Sequence, residues 1–245
     1  MRVVCGRQRR KFYGEIDHVW LDPGRRPYHA PSARQNLSLR RDMPSCDAMG
    51  GEGPMAEFRL RRARIEDARS IAELHAKTWR ETYLGVMRAE ALASIDLDDW
   101  TRRWRERIGS QEGAQAVFVA WEGDAPVGFA RCSRQSNPKL VPLGFEGEIA
   151  SIYLLLRAQR RGLGRRLMER LAAHLISAGC ASAAVWVLRD SPKARGFYEA
   201  LGAEPVGVEG VWDIEGVVLP DIAYGWRDLR ALSAGAGSIT RSPIR

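Results

Sequence analysis

Regular alternation of hydrophobic and polar positions begins near residue 57 and fades near residue 229. Phe58 and Leu60 alternate with Arg59, Arg61 and Arg62, the pattern of a half-buried strand. Residues 66–82 open with Glu66 and Asp67, acids favoured in a first helical turn, and Ala68, Ile71, Ala72, Leu74 and Ala76 predict a buried helical side. Asp96 and Asp98 begin a second helix running to about Ile108, with Trp100 and Trp104 four apart on one face. Val117, Phe118 and Val119 mark a strand, Glu122-Gly123-Asp124 a hairpin turn, and residues 127–132 the return strand.

The second half is more apolar. Residues 148–156 (EIASIYLLL) predict a buried strand. Leu163, Leu167, Met168, Leu171, Leu175 and Ile176 recur at helical spacing up to Gly179. Residues 183–188 predict another buried strand. Ser191 and Pro192 then read as the N-cap and first residue of a helix that stops at Gly202. Residues 206–214 and 221–226 read as two final strands. The order is β, α, α, β, β, β, α, β, α, β, β, which is mixed α/β around one sheet.

Composition adds little to this frame. The chain has 245 residues, is 45% hydrophobic and carries a net charge of +8. Residues 1–54 hold 10 basic and 6 acidic side chains, residues 55–230 hold 26 and 24, and residues 231–245 add Arg241 and Arg245. Most of the excess charge therefore lies outside the patterned region, and nucleic-acid binding is not the expected function. Residues 1–54 contain five prolines and no sustained period. They read as a disordered extension or, because Gly50-Gly51-Glu52 has purine-rich codons, as translated sequence upstream of a true start at Met55. Residues 55–230 form the expected domain and 231–245 a flexible tail. No apolar run approaches the ~18 residues of a membrane span. The four cysteines show no CxxC spacing, so neither zinc knuckle nor disulfide scaffold is indicated. A cytoplasmic protein without a metal is expected.

The sharpest chemical feature is Gln159-Arg160-Arg161-Gly162-Leu163-Gly164-Arg165-Arg166, between a buried strand and an amphipathic helix. Glycines let backbone approach a ligand closely, and amides at a helix N-terminus suit a phosphate. Leu167 stands where a dinucleotide fingerprint needs its third glycine, and no GxxxxGK sequence occurs.

These residues resemble the Q/R-x-x-G-x-G/A motif of the GNAT superfamily of acetyl-CoA-dependent N-acetyltransferases. The upstream strand, and Ser191-Pro192-Lys193-Ala194-Arg195-Gly196-Phe197-Tyr198-Glu199-Ala200-Leu201-Gly202 downstream, resemble that family's N-x-x-A-x-x-F-Y-x-x-x-G helix. Leu74-His75, Trp79-Arg80 and Tyr83 resemble the first helices of bacterial members, and coverage is about residues 57–229.

The resemblance implies the GNAT fold, α/β with one mixed central sheet and helices on both faces. It implies that the pyrophosphate of acetyl-CoA rests on the loop Arg160 to Arg165, with cofactor contacts also from Gln159, Ser191 and Arg195. It implies that pantetheine runs beside Ile152, Tyr153 and Leu154, where two parallel strands splay. Tyr198 is the implied general acid and Glu148 the candidate base, equally readable as a strand-end ion-pair partner. Trp79 and Tyr83 border the implied acceptor site. Ser191, in place of a frequent asparagine, has less reach toward the cofactor, and Leu156, in place of a common proline, is expected to be neutral. The implied reaction moves acetyl to the amine of a small molecule or protein, without an acyl-enzyme, in a chain that could form a homodimer. A catalytically silent acyl-CoA-binding sensor or structural module is the alternative.

Overall fold

The computed structural model describes residues 58–84, 92–214 and 217–233. The readings of residues 1–54, of Met55 and of nearly all the tail lie outside these. The strands are β1 (Phe58–Arg62), β2 (Ala116–Glu122), β3 (Ala125–Arg134), β4 (Gly147–Leu154), β5 (Ala183–Leu188), β6 (Glu204–Ile214) and β7 (Val217–Trp226). The helices are α1 (Ala68–Tyr83), α2 (Leu97–Gly109), α3 (Leu163–Ser177), α4 (Pro192–Glu199) and the short α5 (Arg230–Ser233). Among the described residues the strands form one sheet in the order β1-β2-β3-β4-β5-β7-β6. Among the described strands only the β4–β5 pair is parallel.

Local chemistry accounts for the element ends. Asp96 accepts from the amides of Asp98 and Asp99 at 2.9 and 3.1 Å and caps α2. Gly123, at φ 59°, turns β2 into β3. At α1 the acidic pair does not start the α-helix itself. Residues Ile65–Asp67 form a 3₁₀ turn, and Asp67 accepts from the Arg64 amide at 2.7 Å and from Arg61 at 2.6 and 2.8 Å. Ser191 holds the N-cap position of α4, with Pro192 following, but its hydroxyl makes no capping hydrogen bond. The expected cap is therefore positional only.

The helices lie on opposite faces of the sheet. Phe129 of β3 meets His75 of α1 at 5.1 Å and Trp104 of α2 at 5.0 Å between ring centroids. Phe118 of β2 pairs with Ala130, one residue further along β3, and meets His174 of α3 at 6.2 Å on the other face. Trp79, Trp100, Trp104, Phe129 and Tyr153 surround the His75 ring. That explains the four-residue spacing of Trp100 and Trp104: both close one core.

Candidate active site

The site begins where β4 and β5 part. Their parallel ladder has two rungs, Gly147 with Ala183 and Glu148 with Ala184. β5 continues to Leu188 bound to β7, and β4 continues to Leu154 bound to β3. Beyond Glu148 no strand among the described residues lies beside the β4 edge that faces β5, so Ile152, Tyr153 and Leu154 lie on an open backbone edge. Such an edge accepts an extended ligand as it would a strand.

The loop after β4 is shaped by two left-handed residues, Arg160 at φ 61° and Gly162 at φ 76°. Left-handed backbone at alternate residues turns successive amides toward one concavity, an arrangement that holds anions. Gly162 is the N-cap of α3 and has no side chain to cap it, so the first amides of the helix, at Leu163, Gly164 and Arg165, have no intrahelical acceptor. The Gln159 amide side chain donates to the Leu154 carbonyl at 3.1 Å and ties the loop to the end of β4.

Two details differ from the sequence reading. The close approach at Gly164 is to protein, because a Cβ there would stand 3.0 Å from Phe197 Cε2. Of the two loop glycines, Gly162 is the one with nothing within 4 Å of an added Cβ. The Leu156 amide donates to Glu81 of α1 at 2.9 Å, a bond that proline could not make, so Leu156 is not neutral.

The loop cations are unequal. Arg161 donates to Glu122 at 3.0 Å and lies 4.2 Å over the Phe58 ring. Arg157 also holds Glu122, and the two guanidinium groups, Arg157 first, keep that carboxyl below its ordinary value. Arg165 reaches the Ala200 carbonyl at 3.3 Å. Arg195 donates to the Tyr224 hydroxyl at 3.2 Å and to the Arg189 carbonyl at 3.3 Å. The side chains of Arg161 and Arg195, both expected cofactor contacts, are thus engaged with other parts of the chain.

Tyr198, on α4, is fully buried, and its hydroxyl has no hydrogen-bond partner among the described residues. Burial, and then the nearby Tyr153 hydroxyl, push its pKa well above the usual tyrosine value. Buried polar groups are normally paired, so an orphaned hydroxyl marks a place where a partner belongs. Tyr153 in turn stands 3.5 Å, oxygen to oxygen, from Tyr83. Tyr83 and Trp79 pack with Leu188 and Trp212 at the far end of β5.

The face of the sheet under α1 and α2 carries three cross-strand pairs between β3 and β4: Phe129 with Tyr153, Arg131 with Ser151, and Ser133 with Glu148. Ser133 donates to Glu148 Oε2 at 3.1 Å. A cleft of about 1250 Å³ opens over this face, lined by Arg131, Ser133, Glu148 and Trp186 from the sheet and by Arg103 and Arg107 from α2. The structure therefore sets Glu148 in a cleft and Trp79 and Tyr83 in an aromatic cluster near the end of the open edge. Sequence reasoning missed Arg131, which reads there as one more polar position of an alternating strand.

No cluster of His, Cys, Asp and Glu able to hold a metal occurs among the described residues. No described helix is long and apolar enough to cross a membrane. Cys132 and Cys180 are both buried. Burial pushes the Cys132 thiol up to about 12 and also raises Cys180, so neither is a ready nucleophile.

Residues 69–203, more than half of the chain, match the family model described as the acetyltransferase (GNAT) family. An uncharacterised N-acetyltransferase of Bacillus subtilis, YuaI, is 34% identical over 174 residues, 71% of this chain and 95% of its own. A probable N-acetyltransferase of Mycobacterium tuberculosis is 27% identical, over 69% of this chain and 93% of its own. Among solved structures, the PaiA N-acetyltransferase of Thermoplasma acidophilum in complex with coenzyme A is similar with a TM-score of 0.53 and 18% identity, over 68% of this chain and 98% of that one. A putative acetyltransferase of Salmonella typhimurium with acetyl-CoA is similar at 0.53 and 19%, over 70% and 94%. The open edge between β4 and β5, the uncapped start of α3 and the family match over both of them lead to one conclusion: the chain belongs to the GNAT family of acetyltransferases.

Proposed function

We propose that this chain transfers acetyl from acetyl-CoA to a primary amine by direct attack, with both substrates bound together. The observation that carries the reading is the buried hydroxyl of Tyr198, without a hydrogen-bond partner among the described residues and within electrostatic reach of Tyr153 on the strand whose edge is open. The coenzyme-bound relatives in Thermoplasma and Salmonella support the choice of acetyl donor.

Acetyl-CoA supplies the thioester. The amides of the loop 160–165 bind its pyrophosphate, and the open edge at Ile152, Tyr153 and Leu154 aligns its pantetheine. Glu148, oriented by Ser133, accepts the proton that the acceptor amine must lose, directly or through a water. An amine attacks only when neutral, and α-amines and lysines are largely protonated at pH 7. The nitrogen lone pair forms the C–N bond to the thioester carbonyl, and the C–S bond breaks. Tyr198 then gives its proton to the departing sulfur. Its high pKa keeps the hydroxyl protonated until that charge appears. Trp79 and Tyr83 border the acceptor. With the two described thiols buried and protonated, an acyl-enzyme is not part of the reading.

An amine panel with acetyl-CoA, read by thiol release and by product mass, tests this. Turnover of at least one primary amine is expected. Tight binding of coenzyme A without turnover across the panel would instead favour a silent sensor or structural module.

A further inference from the structure

Arg131 lines the cleft from the middle of β3 and is only 5% exposed. Its buried Nε has no hydrogen-bond partner among the described residues. Across the strand pair it faces Ser151, fully buried, whose Oγ is likewise without a partner. Glu148, the nearest rung's carboxylate, is bonded to Ser133. Glu106, Glu112 and Glu148 also line the cleft, yet none of them bonds the Arg131 Nε, and a buried guanidinium nitrogen left unpaired is costly to keep, because desolvation is offset only by a well-placed partner. Guanidinium groups take carboxylates by paired, coplanar hydrogen bonds. Arg103 and Arg107 line the same cleft from α2, with Glu106 between them, and Arg103 is ion-paired with Asp99 at 2.7 Å.

We infer that the acceptor is an amine that carries its own carboxylate, and that Arg131, with Ser151 opposite, receives that carboxylate. The inference rests on the proposal that this face of the sheet takes the acceptor, with Glu148 at the amine. The Arg131 and Glu148 rungs are separated by two residues on β3, about 7 Å along the strand. An amino acid spans that interval when the long arginine side chain reaches toward it. Trp186, also lining the cleft, offers an apolar wall to the rest of the molecule.

The test compares leucine, phenylalanine and lysine with their carboxamides and with the amines lacking the carboxyl group. The free acids are expected to exceed both neutral series in kcat/KM by roughly tenfold or more, the worth of a charge-assisted hydrogen bond. Arg131→Gln should erase that preference through KM while the KM for acetyl-CoA stays unchanged, and Arg131→Lys should restore part of it. Calorimetry with N-acetylleucine and N-acetylleucinamide supplies a readout free of turnover: the wild type is expected to favour the acid, and Arg131→Gln to bind both alike. If Arg131→Gln fails to fold, the Lys variant and the wild-type calorimetry still decide. Amides accepted as well as acids, or a preference that survives Arg131→Gln, would overturn the inference. Failure of every amine to turn over would sink acetyl transfer, while the calorimetric comparison would still judge the carboxylate site.

Discussion

Glu148 pairs with Ala184 in the last rung that joins β4 to β5. The residue proposed to take the amine proton thus sits at the point where the sheet opens. Its cross-strand neighbour Ser133 holds one of its carboxylate oxygens at 3.1 Å. Glu148→Gln keeps the shape and the Ser133 contact but cannot accept a proton. It is expected to lower kcat/KM at pH 7 by about 10²-fold or more, with recovery as pH rises past the pKa of the acceptor amine. A pH–rate profile of the two proteins checks this. A constant ratio across pH would assign Glu148 to structure.

Gly162 and Gly164 separate binding from packing. Gly162 is left-handed at φ 76° with open space around it. Gly162→Asp brings a negative charge to the start of α3, where anion binding is proposed, for a backbone strain of about 1 kcal/mol. Affinity for coenzyme A by calorimetry is expected to collapse while the melting temperature changes by a few degrees. Retained affinity would contradict the placement of the pyrophosphate.

Gly164→Ala acts differently, because its Cβ would press on Phe197 at 3.0 Å. A destabilisation of about 1–3 kcal/mol is expected from overpacking. Phe197→Leu in the same chain should recover part of it, as contacting residues couple. Denaturant titration of the single and double variants measures the coupling. Additive effects would mean that the two residues do not meet.

Much of this was legible in the sequence. The order of elements followed from periodicity, and β5 was read with the ends it has. The loop before α3 was legible because glycine and arginine cluster there between a strand and a helix. What escaped depends on contacts between distant residues. Arg161 looks free in sequence, yet its partner Glu122 lies 39 positions away. Arg131 looks solvent-facing in sequence, yet it is buried opposite Ser151 in a cleft that α2 also lines. Gly164 looks like ligand chemistry until α4 brings Phe197 against it. Periodicity reports which face is apolar, but not which polar residue ends up beneath another element.

Asp221 carries a pH signature. It is 2% exposed, its Oδ1 has no partner among the described residues, and burial pushes it up to about 6 against the opposing pull of its own amide and Lys139. An acid whose folded value exceeds its unfolded value of about 3.9 binds its proton more tightly when folded. Its contribution is therefore full below pH 4 and declines as pH rises to about 6, by on the order of 2–3 kcal/mol. Asp221→Asn removes the ionisation and is expected to raise the melting temperature at pH 7.5 while changing it little at pH 4.5. An equal shift at both values would show that the carboxyl does not titrate in this window.

The most direct test of the account is kcat of Tyr198→Phe, measured with the melting temperature on the same preparation. The variant keeps the ring and its edge contact with Trp226, 5.9 Å between centroids, and removes only a buried hydroxyl that has no partner among the described residues. Losing an unpaired polar group does not cost stability, so the melting temperature and the affinity for acetyl-CoA are expected to hold or rise slightly. Turnover is expected to fall by about 10²-fold or more, the usual worth of a positioned acid. Full turnover in Tyr198→Phe, at an unchanged melting temperature, would contradict the assignment of Tyr198 as the proton donor to the leaving thiolate.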